Sequence, residues 1–78
     1  MDKKVKIYST PTCPYCIRTK QFLKDNRIEF EDIDVSHNQV AAEEMVKISG
    51  QMGVPVLDIE GEIIVGFDKE RIKQTLGL

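Results

Sequence analysis

Cys13-Pro14-Tyr15-Cys16 lies where an alternating strand pattern gives way to a helical one, and it holds the only two cysteines of the chain. A thiol becomes a strong nucleophile only as thiolate. The start of a helix offers unpaired N–H groups and the positive end of the helix dipole, and both favour a thiolate placed there. Pro14 suits the first helical position, where its missing N–H costs nothing and its fixed φ is preorganised. Cys13 then falls at the N-cap, with its sulfur facing those amides. Cys16 lies about one turn further in, close enough to close a small disulfide ring.

Other uses of two cysteines fit less well. A structural disulfide belongs to secreted scaffolds, and no secretory signal is visible. A zinc site needs four ligands, and the chain offers two cysteines and one histidine, His37, so zinc would require a dimer. A CxxC pair beside a β-α-β pattern reads first as a redox pair. His37 reads as a solvated residue at a helix start rather than a catalytic base, and no metal ligands are assigned.

Working outward from the pair, Val5 and Ile7 alternate with lysines, which predicts a first strand at about residues 3–8. The helical pattern runs from Pro14 to about Asn26. Cys16, Thr19 and Leu23 share its inner face with Phe22 beside them, and Arg18, Gln21 and Asp25 face water. Ile28 and Phe30 alternate with Glu29 and Glu31, predicting a second strand that runs on through Ile33. Ser36-His37-Asn38-Gln39 fits a capping box with Ser36 as the cap. A second helix follows to about Ser49, with Ala41, Met45 and Ile48 as its buried stripe and Gly50 at its C-cap. Met45 and Met52 read as packing residues. Residues 54–59 read as a third strand, Glu60-Gly61 as a tight turn and residues 62–65 as a fourth strand. Asp68 caps a last helix that buries Ile72 and Leu76 and ends at Gly77.

The resulting order is β-α-β-α-β-β-α, an α/β chain. A parallel β-α-β unit followed by a hairpin requires a mixed sheet covered by helices on both faces. With 78 residues, and no linker or repeat visible, residues 1–78 read as one domain. The net charge of −2 argues against a nucleic-acid partner, whose binding rests on many Lys and Arg contacts. No apolar run approaches the ~18 residues of a membrane span. The first residues, Met1 to Lys4, lead into an alternating segment rather than an apolar signal region, so the cytoplasm is the expected compartment.

Thr12-Cys13-Pro14-Tyr15-Cys16 resembles the active site of a dithiol glutaredoxin, and the similarity covers essentially the whole chain. The resemblance implies the thioredoxin fold: a four-stranded mixed sheet of order 2-1-3-4 with three flanking helices. It also bears on two later stretches. In Gly53-Val54-Pro55, the matching family proline is cis and lies beside the active-site sulfur. The Val54 backbone is then turned outward to pair with an extended thiol peptide. From the residues alone, Pro55 does no more than begin a strand. The family often has threonine at Gly53. In Val65-Gly66-Phe67-Asp68-Lys69, the family commonly has two glycines, a variable residue and two aspartates that bind the γ-glutamyl end of glutathione. Gly66 and Asp68 match; Val65 and Lys69 depart. The usual lysine three residues before the first cysteine is Thr10 here, and Gln51 matches a position that helps hold the glycine carboxylate.

The implied function is thiol–disulfide exchange, with Cys13 as nucleophile and Cys16 as the resolving thiol. Thr12, Pro14, Tyr15, Gln51, Gly53, Val54, Pro55, Gly66, Phe67 and Asp68 form the implied groove for substrate or glutathione. No prosthetic group is implied; glutathione is the co-substrate and disulfide-containing proteins are the partners of a monomer. The Gly66-Phe67 pair also resembles NrdH-type redoxins, which are reduced by thioredoxin reductase. A reading of another class is a glutathione-dependent [2Fe-2S] carrier, but Pro14 and Tyr15 match the dithiol form.

Overall fold

The computed structural model describes residues 4–51 and 53–78. Seven elements follow one another: β1 (Val5–Ser9), α1 (Pro14–Asp25), β2 (Glu31–Asp34), α2 (Gln39–Ser49), β3 (Val56–Ile59), β4 (Glu62–Val65) and α3 (Lys69–Leu76). One mixed sheet has the order β2-β1-β3-β4. β1 runs parallel to β2 and antiparallel to β3, and β3 and β4 form an antiparallel hairpin. This is the thioredoxin fold, in the strand order implied by the resemblance. No helix among the described residues is long and apolar enough to cross a membrane.

Strand alternation divides the core between the two faces of the sheet. Val5, Ile7, Leu57, Ile59 and Ile64 point to one face, where Leu23 of α1 and Ile72 of α3 cover them. Tyr8 and Val56 point to the other, under Ala41 and Met45 of α2. One helix thus covers one face of the sheet and two cover the other, as expected when α1 crosses over between the parallel strands β1 and β2. Met45 packs as expected; Met52 and the predicted strand start at Lys3 lie outside the described residues.

Three boundaries differ from expectation, each for a local reason. The second strand begins at Glu31 rather than Ile28. The end of α1 takes the amides that a longer strand would have used: Arg27 N–H donates to Lys24 O at 3.0 Å and Ile28 N–H to Leu23 O at 2.8 Å. With Arg27 at φ 58°, this is a Schellman closure, and Ile28 and Phe30 pack on the core as a connection. The cap of α2 is Asn38, not Ser36; its side chain accepts from Ala41 N at 3.0 Å. Ser36 is engaged elsewhere, since its N–H and hydroxyl both donate to Asp34 Oδ1. Those bonds, with one from His37, hold the Asp34 carboxyl down at about 2. His37 is exposed and paired to Asp34 Oδ2 at 2.8 Å, ahead of the helix rather than in it. The third strand begins at Val56, not Val54. The carbonyl of Pro55 accepts from Gly66 N at 2.8 Å, a bond outside the regular ladder.

Candidate active site

β1 ends at Ser9, and the chain turns through residues 10–12 to meet the first turn of α1. Cys13 is the N-cap of α1, at φ −89° and ψ 115°, and Pro14 opens the helix. The cap is made by sulfur: Cys16 N–H donates to Cys13 Sγ at 3.3 Å. Serine, threonine, aspartate or asparagine usually fill this position with oxygen. A cysteine there places its sulfur on an otherwise unpaired helix amide, the arrangement that favours a reactive thiol. Both cysteines are free thiols.

The two differ sharply in setting. Cys13 is half-buried, and its thiol faces Val54 O at 3.8 Å. Cys16 is 0% exposed. Burial, and then its hydrogen bond with Cys13, push the Cys16 thiol up to about 12. The helix holds this arrangement in place, because Thr19 and Leu23 follow Cys16 on the buried face and Thr19 Oγ1 donates to Tyr15 O at 2.7 Å. The consequence is an order of reactivity. Sub-stoichiometric iodoacetamide should modify Cys13 well before Cys16, as read by mass mapping of the alkylated peptides. Alkylation of Cys16 first would reverse the roles assigned to the pair.

The groove residues divide by what the structure brings together. The Val54–Pro55 peptide is cis, as the resemblance implied, and Val54 reaches Cys13 directly. Gly66, at φ 79°, joins Pro55 through its N–H. An L side chain at that φ would be strained, which is the reason for glycine there. Gly53 lies against Gln51: a Cβ on Gly53 would stand 3.3 Å from Gln51 Nε2. The threonine usual at this position would therefore displace the Gln51 amide. Thr12, Pro14 and Tyr15 are exposed around Cys13. Tyr15 is 59% exposed, with the Arg18 guanidinium 5.8 Å from its ring.

Phe67 and Asp68 are tied elsewhere. The Phe67 ring meets Phe22 edge-on at 6.0 Å and packs on the core. The Asp68 carboxylate caps α3, accepting from Arg71 N at 3.2 Å. Lys69, one of the departures from the family pattern, holds its ammonium 5.8 Å from the Phe22 ring. An open hollow of about 430 Å³, lined by Lys6, Tyr8, Ile33 and Glu44 among others, contains neither cysteine.

One group near the pair was not anticipated. Lys20 lies four residues beyond Cys16 and bonds Asp32 Oδ2 at 2.8 Å; Asp32 Oδ1 accepts from Ser9 Oγ at 2.7 Å. The spacing from Cys16 to Lys20 is visible in the sequence. The partnership with β2 is not, since it depends on how the sheet pairs.

The sequence profile of the family described as Glutaredoxin matches residues 5–64, which include both cysteines and the Val54–Pro55 bond. The chain belongs to the glutaredoxin family. It is 50% identical over 72 residues to a glutaredoxin-like 8.6 kDa protein in the rubredoxin operon of Clostridium pasteurianum, spanning 92% of this chain and 96% of that one. A glutaredoxin from Archaeoglobus fulgidus has the same fold, with a TM-score of 0.85 at 31% identity over 94% of this chain and 85% of its own. The glutaredoxin-like protein NrdH-redoxin from Escherichia coli gives a TM-score of 0.83 at 27% identity, over 91% of this chain and 92% of its own. Thiol–disulfide oxidoreductase chemistry is general to glutaredoxins, and so are disulfide substrates with glutathione or thioredoxin reductase as the source of electrons.

Proposed function

We propose that this glutaredoxin uses Cys13 and Cys16 as a dithiol to reduce protein disulfides and glutathione mixed disulfides. The observation that carries this reading is the asymmetry of the pair: Cys13 caps the helix within reach of solvent, and Cys16 is sealed beneath it. Cys13 attacks one sulfur of the substrate and forms a mixed disulfide. Cys16 then attacks Cys13, the bond to the substrate breaks, and the substrate leaves as a thiol. Both electrons come from the two thiols, so the exchange needs no prosthetic group. The Val54 carbonyl, already facing Cys13, offers backbone pairing to an extended substrate. A monomer in the cytoplasm, where dithiols are kept reducible, suits this chemistry.

A second reading concerns the reductant. Lys69 puts a cation where the family has a second aspartate, beside an Asp68 already engaged as a cap. The Escherichia coli NrdH-redoxin, which shares this fold, is a glutaredoxin-like protein with a thioredoxin-like activity profile. An NrdH-type redoxin reduced by thioredoxin reductase is the alternative. Turnover with glutathione plus glutathione reductase should be compared with turnover using thioredoxin reductase alone. The proposal expects glutathione to sustain activity; turnover with thioredoxin reductase alone would establish the alternative.

The double duty of Asp68 decides how its role is tested. Asp68→Ala removes the cap as well as the charge and should cost about 1 kcal/mol of stability. Asp68→Asn keeps an oxygen for Arg71 N and removes only the charge. If Asp68 holds the α-ammonium of glutathione, a charge-assisted bond worth about 1.5–3 kcal/mol is lost, and glutathione turnover falls roughly ten- to a hundredfold. The melting temperature of Asp68→Asn should stay close to wild type. Unchanged glutathione kinetics would remove Asp68 from the groove.

A further inference from the structure

Cys16 must lose its proton before it can resolve a mixed disulfide, and its surroundings oppose that loss. Its sulfur is sealed from water, and burial is the largest cause of its raised pKa. Two features act the other way: a backbone hydrogen bond from Thr10 and the charge of Lys20. Lys20 follows Cys16 by one turn, on the same side of α1.

A lone surface lysine keeps no fixed place, and an exposed ion pair is worth little. Lys20 is different. Its side chain is only 20% exposed, and its ammonium lies 2.8 Å from Asp32 Oδ2. The second carboxylate oxygen accepts from Ser9 Oγ at 2.7 Å, and Ser9 is buried. Asp32 on β2 pairs with Ile7 of β1, two residues before Ser9. One helix and two adjacent strands thus each supply a member. The hydroxyl fixes the carboxylate, and the carboxylate fixes the ammonium. Among the described residues, Cys13 and Lys20 are the titratable groups that act on Cys16, and Asp32 is the charge that faces Lys20 from the sheet.

We propose that Lys20, anchored by Asp32 and Ser9, is a positioning residue for the resolving step, holding a positive charge beside Cys16 as its thiolate forms. This rests on the dithiol reading above. In that step Cys16 loses the proton that the departing substrate thiolate takes up, and its sulfur bonds to Cys13. The bond between Cys13 and the substrate breaks, and the electron pair leaves on the substrate thiolate, which takes up a proton. The cysteine pair is oxidised by two electrons, and the substrate disulfide is reduced by two.

The test separates the two steps. A protein disulfide with a fluorescent reporter is mixed with reduced protein in a single turnover, and trapping on Cys13 is timed apart from release. Lys20→Gln removes the charge. Lys20→Met removes it while keeping the apolar stem, in case the first variant folds poorly, and Lys20→Arg keeps it. A loss of thiolate of about tenfold would be offset about 2.5- to 3-fold by the greater nucleophilicity of a less acidic thiol, so release should slow about three- to fourfold relative to trapping. Its pH profile should move to higher pH, and Lys20→Arg should restore both. In a Cys16→Ser background, where no resolving step exists, Lys20→Gln should not further slow turnover of a glutathione mixed disulfide. Release at the wild-type rate and pH in both neutral variants would overturn the proposal, as would equal slowing of trapping and release. A wild-type protein that never releases substrate after trapping would instead overturn the dithiol reading beneath it.

Discussion

Cys13→Ser should lose all disulfide-reducing activity, down to the rate measured without protein, while Cys16→Ser should lose only part. The difference follows from position. Cys13 is the thiol that the helix start presents to solvent, and Cys16 has no exposed surface from which to attack a substrate. Removing Cys13 therefore leaves no competent nucleophile. Removing Cys16 leaves the first attack intact but takes away the internal thiol that frees a trapped protein. A glutathione mixed disulfide escapes that trap, because a second glutathione can remove the glutathionyl group from Cys13. The expected pattern for Cys16→Ser is retained deglutathionylation and lost protein-disulfide reduction, measured side by side in coupled assays. If Cys16→Ser is inactive with glutathione while wild type turns over with thioredoxin reductase, the departures at Thr10, Val65 and Lys69 have removed the glutathione site.

Leu23→Ala should destabilise the fold far more than a substitution on the wet face of the same helix, although it leaves both cysteines untouched. Leu23 is fully buried where α1 meets Ile7, Leu57 and Ile64 of the sheet and Ile72 of α3. Deleting its isobutyl group forfeits transfer energy and leaves a cavity, a cost of about 2–5 kcal/mol. A domain of this size has roughly 4–12 kcal/mol in total, so the loss is a large share of its stability. Urea denaturation should show a lower midpoint with an unchanged slope. Gln21→Ala, on the wet face of the same helix and losing only a 2.8 Å bond to Asp25, should stay within about 0.5 kcal/mol of wild type. Equal effects of the two would mean that α1 is not docked on the sheet by Leu23, and the placement of Cys13 would lose its support.

The contrast between those two residues also shows what was readable in advance. Which face of α1 is buried is a matter of 3.6-residue spacing, and Cys16, Thr19 and Leu23 obey it. The cap at Cys13 was equally legible, since a helix start is decided by a few adjacent residues. Local competition produced the errors. Ile28 alternates like a strand residue, yet the open carbonyl of Leu23 lies close enough to claim its amide. Ser36 has the chemistry of a cap, yet Asp34, two residues away, binds both its donors, and Asn38 takes the role. Long-range pairing was not legible from spacing at all. The contact of Cys13 with Val54 spans 41 residues, and it was anticipated only through resemblance to glutaredoxins. The Lys20–Asp32 pair had no such guide, because it exists only once β2 lies parallel to β1 in its actual register.

The central claim is that electrons leave through Cys13 and that Cys16 closes the cycle. Peptide mapping by mass spectrometry after one turnover with a disulfide substrate tests it most directly. In the wild-type protein, the peptides carrying Cys13 and Cys16 should be joined by a disulfide and the substrate fully released; in Cys16→Ser, a protein substrate should remain attached to Cys13. Substrate attached to Cys16, or a wild-type protein whose two thiols remain reduced after the substrate has been consumed, would contradict it.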